Sequence, residues 1–214
     1  MLEIKSFTFN PFGENTFLLY NEKKEVLIID PGAYFEEERK TLLDFLSSEG
    51  LKPIRLLNTH CHVDHVFGNH LIFQKFGLKP EIHAAEKSVL DLAAAAGLQY
   101  NLPFTMPPDP QNFLDEKDTI ALGEDVLSIL FTPGHSPGSI SFYCEKQSFL
   151  IGGDVLFRES IGRTDLSGGD HETLIKSIKE KLFSLPDETS VYSGHGPATT
   201  IGYEKQHNPF VNQH

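Results

Sequence analysis

Thr59-His60-Cys61-His62-Val63-Asp64-His65 decides how the rest of the chain is read. In extended backbone alternate residues share a face, so His60 and His62 can reach one ion. Asp64 and His65 fall out of that register and can turn toward a second ion as the chain enters a helix expected near 66 to 76. On an ideal helix residues two apart point in nearly opposite directions, so the motif belongs on a strand-to-helix loop. Given the composition of this chain, a chance His-x-His-x-Asp-His match is roughly a one-in-a-thousand event. Cys61 alternates away from the ligand side and is expected to be a small buried residue, not a thiolate donor.

Three further stretches offer the same kinds of donor at expected strand ends: Thr132-Pro133-Gly134-His135, Gly152-Gly153-Asp154 and Ser193-Gly194-His195-Gly196-Pro197. Imidazole and carboxylate suit Zn²⁺, Fe or Mn, and there is no thiolate cluster of the kind that closes a structural zinc site. Seven protein donors exceed what one tetrahedral ion uses. With Asp154 shared, they divide into two shells that leave room for a bridging water. Two divalent ions are therefore expected, zinc first, with iron or manganese as alternatives.

Outward from the motif, residues 16 to 29 read as two apolar runs around the charged turn Asn21-Glu22-Lys23-Lys24-Glu25, a hairpin feeding Asp30-Pro31-Gly32. A Glu- and Leu-rich helix follows at about 35 to 49, stopped by Gly50, and the short run Ile54-Arg55-Leu56-Leu57 arrives as a buried strand that delivers His60. The same grammar returns in Ser139 to Ile151, leading into Gly152-Gly153-Asp154. After a helix near 171 to 184, the strand Ser190-Val191-Tyr192-Ser193 delivers His195. This duplication predicts an α/β (α+β) fold in which two mixed sheets pack face to face with helices outside, a four-layer α/β/β/α sandwich of two pseudo-equivalent halves. Residues 97 to 112, with Pro103, Pro107, Pro108 and Pro110, read as a long loop bordering the cleft or simply joining the halves.

The 214 residues suit a single domain spanning 1–214. Eighteen Lys and Arg against 30 Asp and Glu give a formal charge of −12, with no basic run, so nucleic acid and anionic membrane are not expected partners. No window reaches the apolar length of a spanning helix, and Met1-Leu2-Glu3-Ile4-Lys5-Ser6-Phe7 lacks an export pattern. Cys61 and Cys144 are too few for a disulfide framework, which fits a reducing compartment. A cytoplasmic location is expected; the oligomeric state is left open.

In their order along the chain, Thr-His-x-His-x-Asp-His, Thr-Pro-Gly-His, Gly-Asp and Gly-His-Gly-Pro resemble the metallo-β-lactamase superfamily, and within it the short bacterial glyoxalase II-like hydrolases. The resemblance runs from Asp30-Pro31-Gly32 to Asn208-Pro209-Phe210. It implies that His60, His62 and His135 hold one metal, that Asp64, His65 and His195 hold the second, and that Asp154 bridges them. It further implies a hydroxide between the ions, nucleophilic at neutral pH, with Asp64 orienting it. A thioester suits such a site because a thiolate leaving group departs without a general acid, and no general acid is evident in the motifs. The implied substrate is a small-molecule thioester of the S-acylglutathione type, such as S-lactoylglutathione. Longer glyoxalase II enzymes bind glutathione partly through a C-terminal helical region, for which the stretch after His195 is too short.

Several residues have other readings. Asp30 follows a strand as Asp154 does, but in a Pro-Gly turn, where bonding turn amides near the site is the expected role. His70, His83, His171, His207 and His214 lack partners at ligand spacing and read as surface or satisfied core residues. Arg163 either anchors a substrate carboxylate or pairs with Asp165. The main competing activity is a mononuclear-iron persulfide dioxygenase of the same fold; lactonase or other ester and amide hydrolysis is a further alternative. Gly194-His195-Gly196-Pro197 resembles the hydrolases more closely.

Overall fold

The computed structural model describes residues 1–110 and 112–211. Its first sheet contains β1 (Glu3–Phe9), β2 (Glu14–Tyr20), β3 (Glu25–Ile29), β4 (Lys52–Leu57), β5 (Pro80–His83) and β6 (Asn112–Leu114), in that spatial order. The first three strands are antiparallel and the last four parallel. The second sheet runs β14-β13-β10-β9-β8-β7, built from β7 (Thr119–Leu122), β8 (Asp125–Phe131), β9 (Ile140–Cys144), β10 (Phe149–Gly153), β13 (Ser190–Ser193) and β14 (Thr199–Thr200). A two-residue ladder, β11 (Leu156–Phe157) with β12 (Ser160–Ile161), lies between β10 and β13 in the chain. Both sheets are mixed, as expected.

Strand alternation builds the layers. Phe17 and Leu19 of β2, with Leu27 and Ile29 of β3, meet Ile140 and Phe142 of β9 and Ile151 of β10 in the core between the sheets. Their neighbours Leu18, Tyr20, Val26 and Ile28 face the other way. There they bury Leu42 and Leu46 of α1 (Glu36–Ser48) and Ile72 of α3 (Asn69–Phe76). On the far side, Leu150 and Val191 pack against Leu174 of α5 (His171–Ser177), the π-helical turn Ile178–Leu182 and Ile201 of α6 (Ile201–His207). Runs buried on both faces explain why these strands read as continuous apolar segments. The start of α1 is fixed by Glu38, whose carboxylate accepts from the amides of Tyr34, Phe35 and Asn10.

The duplication is visible in the connections. β2 and β3 form an antiparallel pair and the chain then crosses to the parallel neighbour β4; β9, β10 and β13 repeat the pattern. Asp30 and Asp154 therefore follow equivalent strands, as do His60 and His195. The segment read as a loop over 97 to 112 is shorter: α4 (Lys87–Gln99) runs three residues into it and β6 opens at Asn112. Leu90, Ala93 and Gly97 are the buried side of α4, an apolar spacing of three to four residues that makes the segment helical. Among the described residues no helix is long and apolar enough to cross a membrane.

Candidate metal centre

β4 ends at Leu57, and the chain turns over the edge of the sheet through Asn58 and Thr59. His62 stands at the start of a single helical turn, α2 (Val63–Val66), which carries Asp64 and His65. The helical turn begins three residues earlier than the sequence reading placed it, so Asp64 and His65 are separated from His60 and His62 by helix geometry and not by an irregular loop. Asn58 holds the turn closed by donating to the His65 carbonyl (2.9 Å).

Of three donor clusters among the described residues, two share no residue; the third, Asp30 with His60 and His65, takes one ring from each. The ligand-capable atoms of His60, His62 and His135 lie within 4.8 Å of one another, as do those of Asp64, His65 and His195. In the first group His135 Nε2 is 2.8 Å from His62 Nδ1 and 3.2 Å from His60 Nε2. In the second, His195 Nε2 is 3.2 Å from Asp64 Oδ2. Asp154 reaches both: its Oδ2 lies 3.5 Å from His135 Nε2 and 3.4 Å from His195 Nε2, and its Oδ1 3.4 Å from His65 Nε2. His65 Nε2 and Asp154 Oδ1 are buried without hydrogen-bond partners. Converging imidazole nitrogens and an orphaned carboxylate oxygen are what a cation satisfies, so the donor set fits divalent metal.

Four of the five rings are held from behind. His135 Nδ1 donates to the Arg163 carbonyl (2.7 Å), and His195 Nδ1 to the Phe12 carbonyl (3.1 Å). Asp30 organises the rest. Its Oδ1 accepts from the Thr59 amide (2.7 Å) and its Oδ2 from the Thr59 hydroxyl (2.6 Å) and His65 Nδ1 (3.0 Å). The Thr59 hydroxyl in turn lies 3.1 Å from His60 Nδ1, so one carboxylate orients a ring in each group. Asp30 thus bonds a turn amide, as expected, and an imidazole besides. Its φ of +48° is unusual for a residue other than glycine and marks the turn as constrained. Gly194 permits the approach of the second half: a Cβ there would stand 2.2 Å from Asp154 Oδ1 and 2.7 Å from His65 Cε1.

The two groups differ electrostatically. Burial pushes the first three imidazoles down, His60 well below the ordinary value and His62 to about 4. Burial acts on His65 and His195 too. There the carboxylates of Asp154 and Asp64 outweigh it, holding His65 well above the ordinary range and His195 at about 9. Burial would raise both carboxyls, but His65 and the hydrogen bond from His195 hold Asp154 well below its usual range and Asp64 below it as well.

Cys61 is buried and packs with Val66, Ile82, Leu90 and Ala93, away from the imidazoles. His70 is paired with the Met106 carbonyl, His83 stacks on Phe131 and His207 on Tyr203; His171 opens α5 at the surface. His214 lies outside the described residues. Arg163 pairs with Asp165 through two bonds of 2.7 and 2.6 Å, and the residue also lines a cavity of about 710 Å³ that opens on His62, Asp64, His135, Asp154 and His195. Two buried acids escaped the sequence reading. Glu14, with Oε1 unpartnered, has its carboxyl pushed well up by burial against the pull of His65. Glu86 bonds the backbone of the ligand loops. Neither sits in a motif; Glu86 is revealed only by partners distant in sequence, while Glu14 accepts from the Thr16 hydroxyl two residues on.

Residues 9–195 match the metallo-beta-lactamase superfamily. Hydroxyacylglutathione hydrolase GloC of Haemophilus influenzae is 37% identical over 205 residues, covering 94% of each chain. The crystal structure of the BLEG-1 B3 metallo-beta-lactamase superposes with a TM-score of 0.89 at 39% identity, covering 99% of this chain and 100% of that one. TTHA1623 in a di-iron-bound form does so at 0.87 and 37% identity, covering 96% and 99%. With a family match over most of its length and relatives at 37 and 39% identity across nearly the whole fold, the chain belongs to the metallo-beta-lactamase superfamily as a metal-dependent hydrolase.

Proposed function

We propose that the chain is a binuclear thioesterase of the glyoxalase II type, hydrolysing S-acylglutathione-like substrates. His60, His62 and His135 would hold one ion, Asp64, His65 and His195 the other, and Asp154 both. The position of Asp154 Oδ2, 3.5 Å from one group and 3.4 Å from the other, carries this reading. The similarity to a hydroxyacylglutathione hydrolase supports the substrate class, and the di-iron relative supports two ions with iron beside zinc as the candidates. Held there, such a pair would lower the pKa of water toward neutrality and polarise an acyl carbonyl.

The residues supply the rest. Asp64, carried on the helical turn α2, would orient the attacking water, whose oxygen bonds to the acyl carbon and whose proton passes to solvent as the C–S bond breaks. The thiolate leaves unprotonated, since a thiol of ordinary pKa near ~8.5 needs no dedicated acid. Arg163 stands at the cavity wall; its surface pairing with exposed Asp165 is screened by solvent and yields readily to a substrate carboxylate. Arg163→Ala is expected to raise KM for an anionic thioester roughly fivefold with kcat unchanged, because the bond that holds His135 comes from the backbone of residue 163 and survives. Steady-state kinetics decide it; an unchanged KM removes the anchoring role.

The overall reading is tested by measuring metal per chain and then, on one preparation, S-lactoylglutathione hydrolysis and oxygen uptake with glutathione persulfide. Two ions with thioester turnover are expected. One iron with oxygen consumption would replace this reading by the dioxygenase.

A further inference from the structure

The cavity is larger and more apolar than a lactoyl group requires. One wall is the exposed side of α4, where Leu92 is 61% and Tyr100, just beyond, 47% exposed. Phe12, 37% exposed, meets the Tyr100 ring edge-on at 5.1 Å and closes the mouth above His195, which its own carbonyl holds. Ile161 and Leu166 line the cavity as well. Large apolar side chains left in water around a single opening mark a binding surface. Among the described residues Arg163 is the only Lys or Arg in this lining, enough for one carboxylate and no more. Resting on the thioesterase reading, we propose that the acyl half of the substrate is an extended apolar chain lying along α4, with the thiol half toward Arg163.

Each buried methylene contributes about 0.8 kcal/mol, roughly fourfold in kcat/KM. A series of straight-chain S-acylglutathiones from acetyl to decanoyl should therefore climb two- to fourfold per CH2 before levelling, and Leu92→Gln should flatten the slope, with the largest loss in kcat/KM at the longest chains. A flat series in the wild type, or a slope that follows the thiol half when acyl-N-acetylcysteamines are compared, overturns the acyl assignment with thioesterase activity intact. No turnover of any thioester overturns the underlying reading instead.

A separate observation concerns Glu86. This carboxylate is buried at the start of α4 and accepts three bonds: from the Cys61 amide (2.7 Å) at Oε2, and from the Ser136 hydroxyl and Gly138 amide (2.6 Å each) at Oε1. Cys61 lies between His60 and His62, and Ser136 follows His135. Gly138 leaves it room, since a Cβ there would stand 2.8 Å from Glu86 Cγ. A buried carboxylate without a cation is costly unless fully bonded, and this one joins two loops from different sheets. The geometry assigns Glu86 as a positioning residue that sets the spacing of His60 and His62 against His135.

Loss of such a support costs about 10–100-fold in metal affinity or activity. Glu86→Gln, checked for folding by circular dichroism, is expected to weaken zinc binding by the His60, His62 and His135 group at least tenfold in a competition titration and to lower kcat, with KM within about threefold. Ser136→Ala, which removes one donor, should give a smaller loss of both and serves alone if the first variant does not fold. Lower melting temperatures with unchanged zinc affinity in the folded proteins would reduce Glu86 to a structural role. A wild type that binds no zinc would point to failure of the metal assignment itself.

Discussion

Asp154→Asn should leave a folded protein that carries about one ion per chain and has lost on the order of 10²–10³ in kcat, the scale of removing a group that stabilises developing charge. Asparagine keeps the shape but replaces one oxygen with an amide nitrogen, a donor without a free pair. Oδ1 faces His65 and Oδ2 faces both His135 and His195, so whichever way the amide turns, at least one group of donors loses its shared anion. KM should change little, because the interaction lost is one made with the reacting centre and not with the rest of the substrate. Metal analysis beside steady-state kinetics gives the answer. Two retained ions with near-normal turnover would show that the groups act independently, and the shared-carboxylate reading would be wrong. Asp30→Asn is the instructive contrast. Asp30 follows the equivalent strand but orients His65 and Thr59 from behind, so a support-sized loss is expected there and not a ligand-sized one.

That contrast shows what was legible in the residues alone. Donors delivered at strand ends announce themselves, because continuous apolar runs such as Val26 to Ile29 and Phe149 to Ile151 stop abruptly at Asp30 and Gly152, and the duplicated pattern places His60 and His195 in equivalent positions. The role of Asp30 was half visible: a Pro-Gly turn explains the amide bond but not the imidazole 35 residues away. Glu86 was invisible, since its partners stand 25 to 52 residues off and no local spacing connects them. α4 was hidden for a different reason. Its N-terminal residue has no side-chain cap, and its buried positions include Ala93 and Gly97, too small to draw a clear periodic stripe. The proline-rich stretch that follows then dominates the eye. Arg163 was read through its side chain, whereas its firmest contact is a backbone carbonyl under His135, which no residue type encodes.

Removing the ions should separate the two groups by their protons. At pH 7 the imidazoles of His60, His62 and His135 are already neutral, because burial has lowered them, so an ion entering there displaces almost no protons. His65 and His195 are held protonated by Asp64 and Asp154, and an ion entering there must expel both protons. Zinc titrations of chelator-stripped protein at pH 6.5, 7.5 and 8.5 should therefore show two phases. One is nearly indifferent to pH, and the other strengthens by roughly tenfold or more per unit until pH approaches the value of about 9 at His195. The stability sign follows from the same shifts. The raised His195 favours the stripped fold in full below its unfolded value of about 6.5, and this contribution disappears as pH climbs through about 9. The depressed Asp64 and Asp154 contribute above their unfolded value and lose that contribution in acid. Stripped protein should accordingly melt lower at pH 9 than at pH 6.5. Zinc at 100 times its dissociation constant should restore about 2.7 kcal/mol, roughly 5–10 °C for a chain of this size. Two phases that move together with pH, or a melting temperature indifferent to zinc, would mean that the seven side chains do not form the two electrostatically distinct half-sites described, whatever the enzyme hydrolyses.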